Sequence, residues 1–251
     1  DSNRLAGMEQ VTLGNCARFC PPPCNKIAAR YSCSGGLVIR DRSTDIANSS
    51  SLMKEDEGSK CKANIGEYTK VQIGYDGIVF ASRLETIGFE DLTPAHIYLA
   101  ISDKSEITNW KDVDPNFPDR SIKMFIPGTK HGTREVFDKK VMVAGCKKTG
   151  THKYLMDSGL TKKEADKECM KVRTDGVSVD IDGDYTETLA SIASNKEGIG
   201  VFGLSFLLNN TDTIYASKVN GIMPSTETIA SGEYPISVSY THLTLPTKRI
   251  V

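Results

Sequence analysis

Ile122-Lys123-Met124-Phe125-Ile126-Pro127-Gly128-Thr129-Lys130-His131-Gly132-Thr133-Arg134-Glu135-Val136-Phe137 is the stretch on which the reading of this chain turns. Apolar residues alternate from Ile122 to Ile126, the pattern of a strand. Pro127 to Gly132 is a glycine loop. A helix is expected to begin near Thr133, because Val136, Phe137, Val141 and Ala144 then fall on one face. A strand, a short loop and a helix in that order are the elementary unit of an α/β fold.

The same alternation recurs outward from this unit. A helix is expected at 185–194, burying Leu189 and Ile192, with Asp182 and Asp184 as cap candidates. Gly198-Ile199-Gly200-Val201-Phe202 reads as a buried strand, and Ser205–Leu208 begins a further helix. Upstream, residues 71–80 read as a long strand broken at its middle glycines, which suits a hinge between two lobes. A helix near Pro94–Ala100 and a segment Ile107-Thr108-Asn109-Trp110 follow. Strands alternating with helices predict an α/β architecture with a mostly parallel sheet.

The loop is where chemistry is expected. Gly128, Gly132 and Thr133 leave the backbone open where a helix start exposes unpaired N–H groups, and those donors favour an anion. Thr133 adds a hydroxyl, His131 a ring N–H, and Arg134 a guanidinium able to grip two oxygens of an oxyanion. An ordinary connection, with Thr133 as an N-cap and Arg134 in solvent, satisfies the same local pattern. A Walker-type loop does not, since no Gly-Lys-Ser/Thr follows the glycines. Ser34-Gly35-Gly36 and Ser49-Ser50-Ser51 are two more small-residue loops, each by itself also readable as a solvated turn. Three such loops converging would select a dehydrated oxyanion by hydrogen-bond count more than by charge.

Composition excludes several classes. The 251 residues carry 31 Lys plus Arg against 32 Asp plus Glu, a balance with no electrostatic footprint for nucleic acid or an anionic membrane. No apolar run reaches the roughly 18 residues of a spanning helix. The chain starts at Asp1 without Met or a signal peptide, which reads as a mature form or a fragment. Seven cysteines (16, 20, 24, 33, 61, 146 and 169) favour an oxidising compartment and, being odd in number, leave at least one thiol unpaired within the chain. Cys16, Cys20 and Cys24 surround Pro21-Pro22-Pro23 and lack the spacing of a metal set. Asp180, Asp182 and Asp184 alternate as in a calcium loop but do not complete one, because Gly183 comes two places early and Ser191 stands at the twelfth position. Ser205 lacks the closing glycine of a nucleophile elbow, and the four His form neither a triad nor a zinc set.

From about Ser32 to Ser237 the chain resembles the phosphate-binding proteins of bacterial ABC phosphate transporters. The resemblance is carried by Asp45-Ile46-Ala47-Asn48, Ile73-Gly74-Tyr75-Asp76-Gly77, Ile107-Thr108-Asn109-Trp110 and Gly132-Thr133-Arg134-Glu135-Val136-Phe137. Gly198 to Gly203 and Ile229 to Pro235 continue it in the same order. It implies a two-lobe periplasmic-binding-protein fold of type II that closes on phosphate like a jaw. The lobes would be residues 1–77, a partial first lobe, and 78–235, followed at 236–251 by the start of a return strand and a non-native tail.

The implied phosphate ligands are Ser34, Ser50, His131, Gly132, Thr133 and Arg134, with Arg134 as the cationic partner. Cys146 and Cys169, which flank a lysine-rich stretch, match a disulfide seen in part of the family. The chain also departs from the pattern. His131 stands where a ligand serine is usual, Gly14 to Phe19 lacks the hydroxyls of the family's first phosphate loop, and the span from Tyr31 to Asp45 is short. The tail Ser239–Val251 resembles translated sequencing-adapter DNA, so a truncated, metagenomic reading frame is expected there.

The function so implied is capture of inorganic phosphate, without catalysis, metal or cofactor, by a monomer in the bacterial periplasm. It would deliver to ABC permease subunits in the inner membrane, with no nucleic-acid partner. The competing expectations are a binding protein for another tetrahedral oxyanion, such as sulfate, and a phosphate-ester hydrolase on the same scaffold.

Overall fold

The quoted stretch is a strand, a loop and a helix in the computed structural model, which describes residues 46–49, 59, 69–129 and 131–244. The strands in chain order are β1 (Ile46–Ser49), β2 (Thr69–Arg83), β3 (Asp91–Leu92), β4 (Met124–Pro127) and β5 (Ser178–Ile181). They continue with β6 (Ile199–Gly203), β7 (Ile214–Ala216), β8 (Lys218–Val219) and β9 (Ser237–Thr244). The chain divides into two compact units, residues 1–76 with 238–251, and residues 77–237. In the first, β9 lies between β1 and β2, and β1 runs antiparallel to β9 from Ile46 opposite Thr244 to Ser49 opposite Thr241.

The second unit holds the sheet that positions the loop. Its strand order is β7-β2-β6-β4-β5. β4 is parallel to both β5 and β6, whereas β2 is antiparallel to β6 and to β7. The sheet is therefore parallel on one side and antiparallel on the other. β4 is buried along its whole length, as are all five residues of β6. The alternation expected at Ile122–Ile126 gives way to a strand covered on both faces, which is what helices on either side of a parallel sheet produce. Val79, Phe80, Ile126, Phe137, Val201 and Phe202 form the centre of this core.

The break expected at the glycines of residues 71–80 is absent: β2 is one strand of 15 residues. Gly77 instead makes room. A Cβ there would stand 2.2 Å from Ile229 Cδ1 and 2.9 Å from its Cγ1. Ile229 and Tyr234 pack onto this point, and the Tyr234 hydroxyl donates to the Ile78 carbonyl at 2.9 Å.

Helix starts follow their local chemistry. Pro94–Ile101 begins after Thr93, whose hydroxyl accepts from the His96 N–H while His96 Nδ1 accepts from the Thr93 N–H. Tyr185–Ser194 begins after Asp184, whose carboxylate accepts from the Thr186 N–H at 2.9 Å. The helix after the loop, Gly132–Phe137, runs on through a π-helical turn at Asp138–Val143 into Ala144–Lys148. The wider turn rotates the buried face, so Met142, Val143 and Cys146 are inside and Ala144 is only partly covered.

Cys146 and Cys169 form a disulfide with their Cα atoms 5.7 Å apart, as the family resemblance implies. It ties Ala144–Lys148 to the end of Lys162–Cys169 across the intervening helix Thr151–Asp157. On the intervening helix the buried His152 places Nε2 2.9 Å from Asp166 Oδ1. The other five cysteines lie outside the described residues. Among the described residues no helix is long and apolar enough to cross a membrane.

Candidate functional site

Parallel pairing of β5, β4 and β6 sets their carboxyl ends along one edge of the sheet. Ile126 lies opposite Asp180 and Pro127 opposite Ile181, so the loops after β4 and β5 leave the sheet side by side. Helices begin there at Gly132, Tyr185 and Leu204. The crevice outside the carboxyl ends of such strands is where open α/β sheets bind ligands.

The loop after β4 turns tightly. Gly128 N–H donates to the Ile181 carbonyl at 2.7 Å, and His131 N–H donates to the Gly128 carbonyl at 3.0 Å. His131 is the N-cap residue, with extended backbone, and no side-chain hydrogen bond caps the helix. Arg134 N–H donates back to the His131 carbonyl at 3.0 Å, which leaves Gly132 and Thr133 as the first-turn residues whose N–H groups precede the helical ladder. The loop after β5 holds residues on both sides of Gly132. His131 Nε2 lies 3.0 Å from the Asp182 carbonyl, which only accepts, so that nitrogen carries the proton. Thr133 Oγ1 lies 3.2 Å from the Tyr185 hydroxyl.

Arg134 reaches the same corner from below. Nε donates to Asp138 Oδ1 and Nη1 to Asp180 Oδ1, both at 2.8 Å, and Nη1 also donates to the Pro127 carbonyl at 2.9 Å. The guanidinium is buried, with its side chain only 7% exposed. Burial opposes its charge, but Asp138 and Asp180 more than compensate and hold its pKa above the ordinary arginine range. One cation thus faces two carboxylates. Its contacts fasten the helix start to β4 and β5, and an anion at the loop is left to hydrogen-bond donors more than to net charge.

The six expected ligands fare differently. His131, Gly132 and Thr133 line the loop together. Arg134 is at the same corner, turned onto its protein partners. Ser34 and Ser50 lie outside the described residues. Of the cap candidates, Asp184 is the cap and Asp182 is not: its backbone carbonyl meets His131, and its carboxylate lies against Gly128. The pairing of Arg134 with Asp138 was missed in the sequence, although its i, i+4 spacing is a signal that could have found it. Tyr185 carried no local signal, since its partner is 52 residues away.

The PBP superfamily domain matches residues 26–249 of this chain. Among curated proteins it is similar to the phosphate-binding protein PstS of Staphylococcus haemolyticus, 27% identical over 199 residues that cover 77% of this chain and 53% of that protein. The chain spans about half the length of the curated relatives it matches. Among solved structures it is similar to PstS from Borrelia burgdorferi, with a TM-score of 0.57, 20% identity and coverage of 84% of this chain and 71% of that one. An ABC-type phosphate transport receptor from Vibrio cholerae gives a TM-score of 0.57 and 18% identity, covering 86% and 73%. The fold shared with them is the α/β type II periplasmic-binding-protein fold.

Proposed function

This chain belongs to the PBP superfamily domain family, and from that premise we propose that it captures inorganic phosphate outside the cytoplasm for uptake through an ABC permease. The observation that carries the reading is the uncapped start of the Gly132 helix at the carboxyl edge of β4, β5 and β6. Backbone N–H groups of Gly132 and Thr133 and the Thr133 hydroxyl are the proposed donors to the anion. His131 stands beside them, its ring held by the Asp182 carbonyl. Arg134 is proposed to hold this loop in shape through Asp138, Asp180 and Pro127, leaving the anion to the hydrogen-bond donors of the loop.

The role is binding without catalysis, in a monomer. The names of its relatives support phosphate as the ligand and an ABC permease as the partner. The periplasm is the proposed compartment, and the Cys146–Cys169 disulfide fits an oxidising one. Calorimetric titration tests the reading, on protein freed of bound anion by partial unfolding and refolding. Saturable one-to-one binding of phosphate, with none of sulfate, is expected. Equal binding of both anions would replace phosphate with a general oxyanion ligand, and phosphate release from a chromogenic phosphoester would replace the receptor with a hydrolase.

A further inference from the structure

Tyr185 is the first residue of its helix, and its ring is fixed on two sides. It lies 5.9 Å from Phe202 and 5.5 Å from Phe206, centroid to centroid, and those two rings are stacked on each other at 5.3 Å. Its hydroxyl stands over Gly203 at the end of β6, where a Cβ would lie 3.3 Å from it. From there it reaches Thr133 Oγ1. The first residue of the helix after β5, packed on β6 and its following helix, thus touches a hydroxyl in the first turn of the helix after β4.

We infer that Tyr185 is a positioning residue for the anion site, one that sets the direction of the Thr133 hydroxyl proton; this rests on the phosphate reading above. A threonine hydroxyl has one proton and two lone pairs. A phenol is the stronger donor of the pair, so the Tyr185 O–H donates and the Thr133 oxygen accepts. The Thr133 proton is then directed away from Tyr185, available to an anion oxygen. Without Tyr185 the Thr133 hydroxyl rotates among several acceptors and must be ordered by the anion itself.

The test is a double-mutant cycle read by calorimetry with inorganic phosphate. Tyr185→Phe keeps the ring and its packing while removing the hydroxyl, and is expected to weaken phosphate binding about three- to tenfold with a melting temperature close to the parent's. Thr133→Val is expected to weaken it more, and Tyr185→Phe added to it should change nothing further. In a Thr133→Ser background, which restores the hydroxyl, the Tyr185→Phe loss should return. A merely structural role for Tyr185 gives the same loss in all three backgrounds, which would overturn the inference, as would unchanged affinity in Tyr185→Phe itself. Failure of the parent protein to bind phosphate would overturn the phosphate reading and this inference with it.

Discussion

Arg134→Ala is expected to cost about 3 kcal/mol of folding stability, or on the order of 10 °C in melting temperature. The variant leaves Asp138 and Asp180 facing each other with their cation gone, and frees the Pro127 carbonyl. Asp138 is largely buried, and Asp180, its side chain 44% exposed, recovers part of its loss from water. Burial already pushes the Asp138 carboxyl up, against the pull of Arg134. A carboxyl whose folded pKa is raised loses stability as pH rises through it, so the deficit of the variant is full at neutral pH. It narrows as the pH falls into the carboxylate range and Asp138 takes up a proton. Adding Asp138→Asn should recover part of the loss at neutral pH. Thermal melts from pH 4 to 8 check this. Unchanged stability with phosphate affinity alone reduced would instead make the guanidinium a direct ligand and no fastening.

Gly128→Val is expected to abolish most phosphate binding, with affinity falling by at least about tenfold, and to destabilise the fold by about 1–3 kcal/mol. A Cβ at this position would stand 2.1 Å from Asp182 Oδ1, 2.9 Å from the Ile181 carbonyl and 3.2 Å from the Asp182 Cα. The carboxylate can swing aside, but the backbone of β5 and its loop has to move. That movement breaks the Gly128 N–H to Ile181 bond and separates His131 from the Asp182 carbonyl. The loop then no longer presents the first helical N–H groups at the sheet edge. Calorimetry with phosphate and a urea melt measure both effects, and wild-type affinity in this variant would show that the contact between the two loops does not shape the site.

Much of the second unit was legible because its signals are local. The helix over Tyr185–Ser194 follows from an apolar face and the Asp184 cap, and the one expected near Pro94–Ala100 starts at that proline, its Thr93 cap being supplied by the structure. The Gly132 helix was legible at its start but not along its length. The π turn at Asp138–Val143 breaks the 3.6-residue period on which the buried face was assigned, and nothing in Asp138-Lys139-Lys140 marks it. β2 was read as interrupted because a glycine in a strand has two meanings, a break or a close approach. Only the packing of Ile229 and Tyr234 on Gly77 decides between them.

The site was half legible for the same reason. Gly132, Thr133 and His131 announce a loop before a helix by their order in the chain. What surrounds them depends on the pairing of β4 with β5, which sets Asp180 opposite Ile126 and delivers Asp182 and Tyr185 beside a loop some 50 residues earlier. An arginine next to a glycine loop reads as an anion ligand until those carboxylates are in place around it.

The most direct test of the account is a phosphate titration of the uniformly 15N-labelled chain followed by amide resonances. The account predicts that the Gly132 and Thr133 amides make the largest saturable shifts, with Arg134 moving less and the amides around the Cys146–Cys169 disulfide remaining still. Phosphate that binds while the Gly132 and Thr133 amides stay in place would contradict it, because the anion would then sit elsewhere than on the start of the Gly132 helix.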